Sequence, residues 1–164
     1  MSVAKNNTVG RDNTADRELI FTRLLNAPVE LVWKMWVSPE HIKVWWGPDG
    51  FTNTIRKMQV KAGGEWELTM RGPDGTDHKI KCIFREVVKY KKIVYEQLIN
   101  FRCIATIEFE SRGEQTFLHW QMLFESRDYL IEVTKAYGVD PGLRQTGERM
   151  VGYVEQQTIA KHKR

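Results

Sequence analysis

Cysteine is almost missing from this chain. Cys82 and Cys103 are the only two in 164 residues, too few and too far apart for a disulfide framework or a four-ligand zinc site. Long apolar runs are missing too. No stretch reaches the roughly 18–20 apolar residues that cross a bilayer, and Met1 to Asp16 is mostly polar rather than a charged segment leading into an apolar one. The expectation is a cytoplasmic protein without membrane insertion, in a reducing compartment that suits two unpaired thiols. Metal-ligand spacing is also absent: His41, His78, His119 and His162 fall in four different segments, with no HExxH and no paired Cys and His pattern. No glycine-rich loop leads from a strand into a helix, because Gly63-Gly64 and Gly72 to Gly75 fall between strands, which argues against nucleotide chemistry. Neither a metal nor a cofactor is expected.

Charge of one sign is not concentrated. The net charge is +4 and the pI near 9.1, yet basic residues alternate with acids, as in Arg17-Glu18 and Arg85-Glu86. The compact basic clusters are Lys89 to Lys92 and the tail Lys161 to Arg164. This pattern describes a solvated face and a frayed end, so nucleic acid is not an expected partner.

What the chain does have is material for one core. With 41% hydrophobic and 11% aromatic residues it can bury a substantial interior, while 28% charged residues and a mean hydropathy of −0.48 supply the exterior. Residues 1–15 carry hardly any bulky apolar side chain and read as a disordered leader. A single domain is expected over 16–160, followed by the basic tail 161–164.

Within that domain the hydrophobic period changes in a definite order. Alternation from Arg17 to Leu25 predicts a strand, ended by Asn26-Ala27-Pro28, with Pro28 suited to a first helical turn. Val29, Val32, Trp33 and Trp36 recur at helical spacing, and Ser38-Pro39 opens a second short helix that stops at Gly47-Pro48. Between Phe51 and Glu125 turn residues divide the chain into a meander of six strands. Its clearest member runs from Glu65 to Arg71, where Trp66, Leu68 and Met70 alternate with charged and hydroxyl side chains. After Ser126 the period becomes helical again: a short helix over 127–137, an interruption at Gly138 and Pro141, and a longer helix over about 142–160. The stripe Leu143, Thr146, Met150, Tyr153, Val154 and Gln157 gives that last helix a buried face.

These segments also carry a resemblance. Ala27-Pro28-Val29-Glu30-Leu31-Val32-Trp33, Ser38-Pro39-Glu40-His41, Trp45-Trp46-Gly47-Pro48, Gly63-Gly64-Glu65-Trp66 and Met70 to Gly75 resemble, in order and spacing, the SRPBCC superfamily. Within it they are most similar to the activator-of-Hsp90-ATPase-like family, and the resemblance covers about residues 17–158. It implies an α+β helix-grip fold, in which a curved antiparallel sheet wraps a long C-terminal helix and two short helices follow the first strand. It also implies an internal cavity, but no single reaction, because this fold hosts binding, co-chaperone and enzyme domains. Val60-Lys61-Ala62 departs from the pattern before the double glycine and is expected to loosen that turn.

The alternation then places a candidate site. Trp66, Leu68, Met70, Ile80, Cys82, Phe84, Tyr95, Ile107, Leu118, Trp120 and Met122 should share the face that meets the last helix, with His78, Tyr95, Gln97, Tyr153 and Gln157 as its polar groups. The candidate ligand-binding set is Trp66, Leu68, Met70, His78, Ile80, Cys82, Tyr95, Gln97, Leu118, Trp120, Met150, Tyr153 and Gln157. The plainer reading of each is core filling. Trp45 and Trp46 are adjacent, so one is expected inside and the other at the rim.

No catalytic residue is assigned. The leading expectation is binding of a small, largely apolar molecule between sheet and helix. Two alternatives stand beside it: contact with an Hsp90-type chaperone, and a cavity-based cyclase- or hydrolase-like enzyme using His78 or Tyr95 as an acid or base.

Overall fold

A computed structural model describes residues 14–162. The elements run β1 (Glu18–Leu25), α1 (Val29–Val37), α2 (Pro39–Trp45), β2 (Thr52–Met58), β3 (Glu65–Arg71), β4 (Asp77–Val88), β5 (Lys92–Gln97), β6 (Cys103–Arg112), β7 (Gln115–Leu123), α3 (Arg127–Tyr137) and α4 (Val139–His162). The leader expected over 1–15 lies outside the described residues up to residue 13. A short 3-10 turn, Ala15–Arg17, leads into β1.

The seven strands form one antiparallel sheet in the order β1-β7-β6-β5-β4-β3-β2. Consecutive hairpins produce β2 to β7, and β1 closes the order by pairing with β7, Phe21 opposite Trp120. The register shifts at Ile55/Lys57 and at Phe84/Glu86, where an extra residue bends its strand. The turn before β3 is not loosened by Val60-Lys61-Ala62: Gly64 N–H donates to Lys61 O at 2.8 Å and Lys61 N–H to Gln59 O at 2.9 Å.

The helices cover one face. Ser126 accepts from the Tyr129 N–H to start α3, and Gly138, at φ 63°, ends it in the left-handed conformation that glycine adopts without a side-chain clash. The last helix then begins at Val139, earlier than the sequence pattern indicates, and Pro141 lies inside its first turn. A proline is tolerated there because the first four N–H groups of a helix have no intrahelical partner. The helix also continues through His162, two residues past its expected end near residue 160. Pro28 differs as well: it precedes α1 as an extended cap, φ −69° and ψ 155°, rather than occupying the first turn.

How α4 rests on the sheet determines where space remains. At Gly147 it comes close to β1, where a Cβ would stand 2.5 Å from the Phe21 ring. An ion pair between Arg23 and Glu148 lies beside this contact. Farther across the sheet the separation is bridged by large side chains. Both Trp45 and Trp46 point inward, 1% and 8% exposed, against the expectation that one would lie at a rim. The reason is local: α2 ends at Trp45, and Trp46 adopts an extended φ −66°, ψ 138° that turns its ring back under α4.

Candidate functional site

A partition of aromatic rings divides the interior. Trp36 meets Trp120 edge-on at 4.9 Å, Trp120 stacks on Trp46 at 5.6 Å, and Trp46 meets Trp66 at 4.9 Å. Trp66 in turn contacts Tyr95 at 5.5 Å. On the α1 side of this partition the space is filled by Trp33, Trp36, Phe109 and Leu118, all buried. On the other side it is not filled.

There a cavity of about 250 Å³ lies between sheet and α4. Its floor comes from alternate positions of the strands: Met70 and His78, paired across β3 and β4, then Ile80, Tyr95, Gln97, Trp120 and Met122. Val139, Gly142, Leu143 and Thr146 of α4 form the roof. The mouth is framed by Gly47, Pro48 and Phe51 on one side, and by Asn100, Phe101 and the α3–α4 junction on the other.

The candidate residues divide accordingly. Met70, His78, Ile80, Tyr95, Gln97 and Trp120 line the cavity. Trp66, Leu68, Cys82, Leu118 and Met150 are 3% exposed or less and belong to the packed interior instead. Tyr153 turns toward α2, where its hydroxyl lies 2.7 Å from His41 Nδ1. Gln157 is half-buried two turns beyond Met150 and does not reach the cavity. Several wall residues were outside the sequence-based set: Trp46, Phe51, Phe101, Tyr137 and Leu143. Leu143 and Thr146 were visible on the helical stripe. Phe51, Phe101 and Tyr137 sit in or beside loops, where no periodicity identifies a facing direction.

Polarity inside is sparse. Burial pushes the Tyr95 phenol well above its ordinary range, with the neighbouring Cys103 and Cys82 acting the same way and the Trp120 indole opposing them. The phenol is therefore a neutral group at any ordinary pH. Trp120 Nε1 is close enough to Tyr95 to influence it, yet it has no aligned hydrogen-bond partner among the described residues. Gln97 donates from Nε2 to Ile99 O at 3.3 Å, and Thr146 Oγ1 donates to Gly142 O at 2.8 Å. No Lys, Arg, Asp or Glu lines the cavity.

The two cysteines flank Gln97 on β4 and β6, each in register with it. They are separated by a whole strand, beyond the reach of a disulfide. Burial raises both thiols, Cys103 to about 12, so neither is a nucleophile at neutral pH. Among the described residues no cluster of three or more potential metal ligands occurs, and no helix is long and apolar enough to cross a membrane.

Asn53 Nδ2 donates to Lys43 O and Trp46 O, and the Asp49 N–H to Gln145 Oε1, but Arg149 makes the most hydrogen bonds at the mouth. Arg149 Nη1 donates to Gly47 O and Pro48 O at 2.7 Å and to Trp46 O at 3.3 Å, while Nη2 donates to Val44 O at 2.9 Å and Phe51 O at 3.3 Å. These acceptors span the end of α2 and the loop that frames the cavity. The guanidinium is thus matched to the negative end of a helix and to loop carbonyls, two of which, Trp46 O and Pro48 O, also accept from Asn53 Nδ2 and the Phe51 N–H.

A curved antiparallel sheet closed by a C-terminal helix, with a cavity between them, defines a helix-grip domain. The family described as Activator of Hsp90 ATPase homolog 1-like protein matches residues 26–155, and the chain belongs to it. Solved structures agree on the fold. A protein of Nitrosomonas europaea is similar at 21% identity over 88% of this chain and 98% of its own, with a TM-score of 0.78. One of Arthrobacter aurescens is 20% identical over 87% of this chain and 88% of its own, with a TM-score of 0.80. A third, from Mycobacterium smegmatis, is 18% identical over 91% and 95%, with a TM-score of 0.76. No curated protein matches the chain.

Proposed function

We propose that this chain binds a small, largely apolar molecule in the cavity between the sheet and α4. The observation that carries the reading is unfilled space of about 250 Å³ walled by Trp46, Phe51, Tyr95, Phe101 and Trp120. Protein interiors are otherwise close-packed, so unfilled space of this size with an aromatic wall describes a place for a guest. The volume is just under the roughly 300 Å³ at which pockets for drug-sized ligands begin. A one- or two-ring molecule fits this size better than a sterol or a long acyl chain.

Binding is favoured over chemistry because His78 faces the cavity without a hydrogen-bonded side-chain partner among the described residues, and acid or base catalysis needs a positioned group. The ligand reading is also preferred to chaperone contact, which the family's description names, because the cavity is built from this chain's own side chains.

Naphthalene is a suitable first probe. At about 0.6 kcal/mol per non-hydrogen atom it should bind with a Kd of tens of micromolar. At about 200 μM it should then stabilise the fold by about 1 kcal/mol, raising Tm by roughly 2–4 °C in differential scanning fluorimetry. An unchanged Tm across a series of one- and two-ring hydrocarbons would remove the reading.

A further inference from the structure

The cavity's polar groups narrow the class of guest. Tyr95 is 2% exposed, lines the floor, and makes no hydrogen bond from its hydroxyl to any described residue. A buried phenol O–H normally finds an acceptor. Beside it the Trp120 indole N–H is also buried and unpartnered. The Tyr95 oxygen lies near that N–H, so the donor left facing no protein acceptor among the described residues is the Tyr95 O–H, and leaving it unpaired is costly in an interior of low polarity. Gln97, two residues along β5 on the same face, directs its amide N–H to Ile99 O.

The rest of the wall excludes ions. No side chain of fixed charge lines it, and His78, the one wall residue able to become cationic, stands at the start of β4 rather than beside Tyr95, so a carboxylate or ammonium placed at Tyr95 would be desolvated without an adjacent counter-charge. The wall is aromatic: Trp46 and Trp120, stacked on each other at an interplanar angle of 27°, form one side, and Phe101 and Tyr137, in contact at 5.5 Å, stand at the mouth.

Resting on the binding reading above, we infer that the preferred ligand is a small, neutral, ring-bearing molecule that presents one hydrogen-bond-accepting oxygen to the Tyr95 hydroxyl. A ketone, ester or ether oxygen on one or two fused rings satisfies the requirement.

A matched series tests this in isothermal titration calorimetry at pH 7: 2-acetylnaphthalene, 2-ethylnaphthalene and 2-naphthoate. The three share shape and differ in acceptor and charge. The ketone should bind about fivefold more tightly than the ethyl compound. The naphthoate should bind at least about 50-fold more weakly than the ketone. In Tyr95→Phe, which keeps the ring, the ratio of ketone to ethylnaphthalene affinity should fall below about twofold. The carbonyl stretch of bound acetylnaphthalene should also lie at lower wavenumber in the wild-type protein than in Y95F, which reports the hydrogen bond independently of affinity. Equal affinity for ketone and ethyl compounds, together with an unshifted carbonyl, overturns this inference while leaving the binding reading standing. Naphthoate binding as tightly as the ketone also overturns it. Failure of all three to bind overturns both.

Discussion

Ile80→Trp should abolish naphthalene binding while leaving the protein folded. Ile80 is 5% exposed and its side chain on β4 forms part of the cavity floor. An indole at this position would occupy the space a ligand needs, so affinity should fall at least about 50-fold. Stability should change by less than about 1 kcal/mol, because enlarging a side chain into a void avoids the strain of overpacking. Leu118→Phe supplies the contrast. Leu118 is 0% exposed and lies on the filled side of the tryptophan partition, so the added ring should cost about 1–3 kcal/mol in urea unfolding and leave affinity unaltered. If both substitutions destabilise alike, the asymmetry of the interior is wrong.

The second large effect is expected at Arg149. Arg149→Met keeps much of the aliphatic stem but leaves the carbonyls of Val44, Trp46, Gly47, Pro48 and Phe51 without their shared donor. Hydrogen bonds from a charged group contribute about 1.5–3 kcal/mol each, and water at this half-buried site replaces part of the loss. A net destabilisation of about 2–3 kcal/mol should appear as a lower urea midpoint, with faster amide exchange over 46–51. Arg149→Lys should recover only part of it, because an ammonium cannot address carbonyls on two sides as a planar guanidinium does. Wild-type stability in R149M would show that the loop is held by other contacts. The same variant should weaken naphthalene binding, since Trp46 and Phe51 form the wall that this arginine fixes.

The limits of reading this protein from its sequence follow from where each residue sits. Strands with one wet face announce themselves: Glu65 to Arg71 alternates, and Trp66 and Leu68 are buried as the alternation requires. Alternation assigns a face but not a position along it. Leu118 and Ile80 share the inward face, yet one is sealed beneath α1 and the other opens on the cavity, because the tryptophan partition runs across the sheet between them. No local pattern encodes that line. It arises from rings on α1, β3 and β7 and one just past the end of α2 meeting in space. Helical spacing has a similar limit. Tyr153 lies on the stripe of α4, but its hydroxyl finds His41 on α2 before it could reach any ligand.

The mouth was the least legible part. Phe51, Phe101 and Tyr137 owe their direction to loop conformation, and Trp46 to a backbone turn at the end of α2. Arg149 on a helix otherwise reads as one more solvated cation. Only the convergence of chain ends around it shows that it organises the entrance.

The most direct test is NMR mapping of 15N-labelled protein during a naphthalene titration. Saturable shifts should concentrate on the indole N–H groups of Trp46 and Trp120 and on the backbone of Ile80, Tyr95, Val139 and Leu143, residues brought together only at the cavity. Shifts confined to the outer face of the sheet, or none at all, would contradict an interior site.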